Sequence, residues 1–151
     1  NARFYAGFAA CPLNDGTQPF SQRNLLRKII AEADSCIKLA TPSASLRFGH
    51  ETMILPLVCL LDLNGYGMQN ADLEQLARKG WCNYKIFPMA ANIQLVFYRR
   101  HPGDTDVVFK VLLNEDEATL PLETDMPPYY HWADFRKRYL KLLDSYVEQK
   151  P

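Results

Sequence analysis

The spacing of apolar residues divides the chain into helical and extended stretches. From Ser21 to Leu39 (SQRNLLRKIIAEADSCIKL), Leu25, Ile29, Ile30, Ala33 and Ile37 recur at helical spacing, and Ser21 stands where an amino-terminal cap is expected. Arg23, Arg27, Lys28, Glu32 and Asp34 take the other side, as a solvated face. After a connection over Ala40 to Ser45, Leu46 to Gly49 reads as a short strand, and the apolar run Ile54 to Leu63 reads as a helix. Pro56 complicates that helix, because a proline in a helix interior removes a hydrogen bond and crowds the preceding turn. Either the helix starts near Leu55 with Pro56 at its first position, or Glu51 to Leu55 is a distorted first turn. Both place His50 and Glu51 at a helix entrance, beside the carboxyl end of a strand.

Gly65 and Gly67 break the helix, and ADLEQLA (Ala71 to Ala77) predicts another turn or two before the aromatic, irregular stretch Trp81 to Pro88. Asn92 to Arg99 and Asp106 to Asn114 are rich in branched and aromatic residues and flank the turn-forming RHPGDT, which predicts an antiparallel hairpin. The second strand carries apolar residues on both faces, which predicts cover on both sides. Glu115 to Pro128 is acidic and turn-rich, as in a surface loop. In Tyr129 to Gln149, Trp132, Phe135, Tyr139, Leu142, Leu143 and Tyr146 align on one side of a terminal helix. The opening Asn1 to Pro19 mixes Phe4, Tyr5 and Phe8 with turn residues, as in a loop packing its aromatics on a body. The expected fold is α/β: one compact unit over residues 1–151, with helices layered on a mixed sheet that includes Leu46 to Gly49 and the hairpin.

Composition supports a packed core, since 48% of the 151 residues are hydrophobic and 23% charged. Lys plus Arg and Asp plus Glu number 17 each, so bulk charge provides no attraction to nucleic acid or an anionic membrane, and any anion site must be local. The opening NARFYAGFAACPL lacks the basic-then-apolar pattern of a signal peptide, and the longest apolar run falls short of the roughly 20 residues that span a bilayer. Cys11, Cys36, Cys59 and Cys82 lie far apart with no CxxC pair, which argues against a zinc ribbon or a thioredoxin-like motif. Their pairing is left open by the spacing.

Among residues that could carry chemistry, His50 and Glu51 stand out. They begin like an HExxH zinc helix, but position 54 is Ile54, so the second histidine ligand is missing. Ser43 and Ser45 precede a strand and do not form a GxSxG elbow. Arg99, Arg100 and His101 at the hairpin tip could attract a phosphate or simply be solvated.

The stretch Leu46 to Leu57, LRFGHETMILPL, closely resembles the second catalytic motif of the histidine acid phosphatases, in the branch containing phytases and multiple inositol polyphosphate phosphatases. FPMAANIQLVFYRR, KVLLNEDEATLPL and PPYYHWADFRKRYL resemble the carboxy-terminal portion of the same family, so the likeness runs from about Pro19 onward. The resemblance implies the distal part of a histidine phosphatase-like domain. It implies phosphomonoester hydrolysis, with inositol polyphosphates such as phytate as substrate class, and a histidine of an RHGxRxP motif as the group that becomes phosphorylated. His50 matches the phosphoryl-binding histidine and Glu51 the proton donor to the leaving alkoxide. Arg47 could be a further substrate contact or part of a structural ion pair. No metal or organic cofactor is implied, and the family's habit points to an extracytoplasmic location.

Two features depart from the family pattern. The acid follows His50 directly, as in its HD form, yet is a glutamate, as in its HAE form. RHGxRxP occurs nowhere in the 151 residues; RRHPGD at Arg99 to Asp104 has the wrong order. The expectation is therefore that the nucleophile lies on the remainder of a longer phosphatase chain, and that this segment alone is inactive. A silent phosphate- or polyanion-binding module, and a structural domain pairing through a sheet edge, are the rival readings.

Overall fold

A computed structural model describes residues 18–68 and 72–146 of the chain. A 3-10 turn, Gln18–Gln22, leads into helix α1, Arg23–Cys36. Ser21 lies inside that turn, and Gln22 occupies the cap position without a side-chain cap bond, so the expected Ser21 cap is not formed. The turn itself carries the chain into the helix. Leu26 and Ile30 are buried, with Leu25, Ile29, Ala33 and Ile37 half-buried around them.

Helix α2 spans Glu51–Leu61 and runs straight through Pro56. Its last seven residues, Leu55 to Leu61, are all buried. A helix apolar on every side belongs in the middle of a protein, and α2 packs along the Gln18–Gln22 turn and the one-turn helix α3, Asn83–Ile86. That short helix lies in the stretch expected to be irregular. The Pro56 nitrogen cannot bond the Thr52 carbonyl, but this gap falls in the first turns, near the solvent end of the helix.

The carboxyl end of α2 is closed by three contacts. Asp62 adopts a left-handed conformation (φ 52°) and its Oδ1 accepts from the Gly67 amide at 2.7 Å. A β-carbon on Gly67 would lie 2.7 Å from the Cys59 carbonyl oxygen, so no larger residue fits that return. Asn64 exchanges backbone and side-chain bonds with Thr119 at 3.0 and 2.8 Å. The Tyr139 hydroxyl donates to the Leu61 carbonyl at 2.6 Å.

The hairpin forms as expected, from β1, Ile93–Tyr98, and β2, Val108–Leu113, in register from Ile93 opposite Leu113 to Tyr98 opposite Val108. β3, Asp116–Ala118, and β4, Tyr130–His131, share the other edge of β2, both antiparallel. Two corrections to the sequence reading follow. The sheet is antiparallel throughout, because short turns join β1 to β2 and β2 to β3, and short turns permit only that pairing. Leu46 to Gly49 is not a strand of it: residues 42–50 are irregular and exposed. With no ladder beside it among the described residues, that segment gives Ser45 and Arg47 to α1 instead, as described below. β2 is fully buried on the face of Phe109, Val111 and Leu113 and half-buried on the face of Val108 and Leu112. Asp116–Ala118 also puts a short strand at the start of the predicted surface loop.

The terminal helix, α4, covers Trp132–Ser145 and starts later than predicted, because Tyr130 and His131 pair with β2. Trp132, Phe135, Tyr139 and Leu143 form its buried face, and Leu142 is half-buried. Phe109 is the point where sheet and helix meet: its ring stands edge-on to Trp132 at 5.6 Å and to Phe135 at 5.2 Å. Residues 1–17, where the aromatic loop was expected, and 147–151 lie outside the described residues. Among the described residues, no helix is long and apolar enough to cross a membrane.

Two substitutions test this packing. Tyr139→Phe leaves the buried Leu61 carbonyl without its donor and should cost about 1–3 kcal/mol, whereas Phe135→Ala should cost about 3–5 kcal/mol. Urea unfolding of the two variants checks both the loss and its order.

Candidate functional site

His50 occupies the cap position of α2 in an extended conformation (φ −104°, ψ 170°), and Glu51 is the first residue of the helix. The His50 carbonyl accepts from the Met53 amide at 2.9 Å and the Ile54 amide at 3.3 Å, which starts the helical ladder. The His50 side chain makes no cap bond, and both His50 and Glu51 are exposed. The amides of Glu51 and Thr52 have no described hydrogen-bond partner, as expected at a helix start, where the first amides point outward and carry the positive end of the macrodipole. An imidazole, a carboxyl and an open helix start therefore share one solvent-facing corner. Such a corner can receive an anion on the amides while a neighbouring acid moves a proton.

Arg47 does not stand free beside this pair. Its guanidinium forms an ion pair with Glu32 of α1, and the Ser45 hydroxyl donates to the same Glu32 oxygen at 3.1 Å. Ser45 and Arg47 thus turn toward α1, while the alternate residues Leu46 and Phe48 turn away and are 77% and 93% exposed. The Arg47 guanidinium first, and the Ser45 hydroxyl second, hold the Glu32 carboxyl below its usual range. Because the folded value is depressed, this tether is present above the ordinary carboxylate pKa and is lost as pH falls through the folded one.

The hairpin-tip cations are committed elsewhere. Arg99 donates to the carbonyls of Ile37 and Leu39 just past the end of α1. Arg100 pairs with Asp104 at 2.7 Å, and with Asp106 at 4.0 Å. A phosphate site built on both arginines would have to break these contacts, so the hairpin tip is a joint of the fold. Among the described residues, no group of three or more His, Cys, Asp or Glu is placed to hold a metal ion. Cys36, Cys59 and Cys82 are free thiols, and burial pushes the Cys59 thiol up to about 12, which keeps it protonated and inert.

Three roles escape the sequence pattern. Glu32 and Asp34 sit on the polar face of α1, where a solvated role is the natural reading, yet Glu32 holds the approach to His50. Asp34 accepts from the Trp132 indole at 2.8 Å and from Arg136 at 2.8 Å, joining α1 to α4. His131 joins Asp106 to Asp125, at 2.9 and 3.1 Å. The partners lie 98, 102, 25 and 6 residues away in the chain for the Trp132, Arg136, Asp106 and Asp125 bonds, so no local spacing signals the longer ones.

Comparison with known protein families matches residues 20–114 to the family described as histidine phosphatase superfamily (branch 2). The matched span contains Glu32, Arg47, His50 and Glu51 and ends just after β2. No curated protein matches the chain.

The tether can be tested by proteolysis. Residues 42–50 offer an exposed, irregular substrate, and Glu32→Gln weakens the hold on Arg47. Trypsin at mildly alkaline pH should cut after Arg47 several-fold faster in the variant; equal rates would mean that Glu32 does not restrain the segment.

Proposed function

The chain belongs to branch 2 of the histidine phosphatase superfamily, and on that premise we propose that it forms the phosphoryl-binding and proton-donating part of a phosphomonoester hydrolase, with inositol polyphosphates such as phytate as substrates. The observation that carries this reading is the placement of His50 and Glu51 at the exposed amino terminus of α2, inside the matched span. In this reading His50 and the first amides of α2 hold the phosphoryl oxygens. Glu51 gives its proton to the inositol oxygen as the phosphorus–oxygen bond breaks, so that a neutral alcohol leaves.

Inositol alkoxides are poor leaving groups, which makes the proton donor matter: a positioned acid contributes about 100-fold to 10,000-fold.

The attacking histidine belongs, in this proposal, to an RHGxRxP segment outside these 151 residues, since that motif does not occur in them. Residues 42–49 support the idea that more protein covers this corner. Their backbone groups have no described pairing partner, and Leu46 and Phe48 stand bare on the side facing away from α1. A strand supplied by the remainder of the phosphatase would satisfy both needs and bring its histidine to His50. Arg47 would then act through its ion pair with Glu32, holding the segment in place, and reach the substrate only if that pair opened.

Phosphate release from phytate by this chain alone should be absent, and should appear in a protein that joins it to an RHGxRxP segment. Turnover by the isolated chain would refute the missing nucleophile. In the active protein, Glu51→Gln should slow poor leaving groups by about 100-fold or more while sparing aryl phosphates with good ones. An equal loss across a leaving-group series would take Glu51 out of the donor role.

A further inference from the structure

His131, in β4, lies between two carboxylates from different parts of the chain. Its Nδ1 is 2.9 Å from Asp106 Oδ1, just before β2, and its Nε2 is 3.1 Å from Asp125 Oδ1, in the connection from β3 to β4. A neutral imidazole carries a single N–H, so it can donate to only one of them; serving both requires the imidazolium. We propose that His131 is a proton-operated latch that fastens the tip of the β3–β4 connection, residues 124–129, to the turn end of the β1–β2 hairpin when charged, and releases it at Asp125 when neutral.

The surroundings favour the charged form. Glu123, Asp125 and Asp134 line the same open cleft as His131, so carboxylates face the ring from both the connection and α4. From the hairpin, Asp106 faces it directly, and the Arg100 guanidinium is drawn to Asp104 at 2.7 Å and only loosely to Asp106 at 4.0 Å. Asp125 first, and Asp106 second, raise the His131 pKa above its ordinary value. With the folded value raised, the latch is complete below the ordinary histidine pKa and is lost as pH rises through the folded one.

Release at Asp125 follows from the partners. Asp106 keeps a second tie, through its amide to Asp104 Oδ1 at 3.0 Å, and is the less exposed carboxylate of the two. The tip is internally closed by Thr124, whose hydroxyl donates to the Tyr129 carbonyl at 2.5 Å and accepts from the Met126 amide at 3.2 Å. Its far end is held by the Tyr129 ring, edge-on to Tyr98 at 5.4 Å. Neither contact involves the imidazole, so release at Asp125 leaves the tip held by these contacts alone, and its Thr124–Met126 bond opens more often while the strands and α4 stay in place.

NMR titration of the His131 ring, with amide hydrogen exchange at Met126, tests this on the whole chain. His131 should titrate above its ordinary value, and Asp125→Asn and Asp106→Asn should each lower it. The Met126 protection factor, corrected for intrinsic exchange, should fall about five-fold as pH rises through the His131 titration, the size expected for one exposed hydrogen bond. That fall should vanish in Asp125→Asn, at an exposed position, and in His131→Gln, at a half-buried one. A His131 pKa at or below the ordinary value, one indifferent to Asp125→Asn, or a protection factor unchanged across the titration would each overturn the latch.

Discussion

A helix buried on every side must hand its terminal carbonyls to partners inside the protein, and α2 obeys this at one end only. At Leu61 the carbonyl accepts a hydrogen bond from the Tyr139 hydroxyl, Asp62 folds back to the Gly67 amide, and Asn64 locks onto Thr119. These contacts draw α4, the Gly67 return and the residue after β3 to the same point. Each buried polar group there would be costly unpaired, so the carboxyl end of α2 is fixed by satisfaction as much as by packing. The amino end, with His50 and Glu51, has no such obligation, because water can serve its amides. The result is a rigid rod of about 16 Å, anchored at its base and presenting a histidine, a carboxyl and free N–H groups at its tip.

The polar face of α1 holds the outer layer together. Asp34 receives the Trp132 indole and the Arg136 guanidinium, Arg27 meets Asp144, and Glu32 takes Arg47 and Ser45. Exposed ion pairs are worth little individually, about 0–1 kcal/mol each. Their value here is orientation, since they set the angle of α4 against α1 and hold the approach to His50. The Asp34 pair is the strongest of the set by its setting, because it is partly buried and its bond to the indole of the buried Trp132 is charge-assisted.

The aromatic junction at Phe109 and the bare segment of residues 42–49 are opposite solutions to the same problem. Phe109 is fully buried because Trp132 and Phe135 of α4 close over β2. Among the described residues Phe48 has no such element above it and stays exposed, although Leu46, Arg47 and Phe48 alternate apolar and polar as a strand would. Extended backbone becomes a strand only when another ladder satisfies its N–H and C=O groups, and among the described residues none lies beside this segment.

The sequence by itself determined much of the fold: helical periodicity located α1 and α4, the apolar run Ile54 to Leu63 located the body of α2, and the RHPGDT turn between branched runs located the β1–β2 hairpin, because these signals are local and a one-sided buried face must repeat with the period of its element. The stretch LRFGHETMILPL likewise placed His50 and Glu51 at a helix start. Only the tertiary structure decided that Leu46 to Gly49 goes unpaired, that Pro56 is carried inside α2, and that Glu32, Asp34 and His131 hold segments together. Those outcomes depend on what lies across from each residue in space. A carboxylate facing water and one facing an indole or a guanidinium from another element have the same spacing along the chain, and only the packing of that element tells them apart.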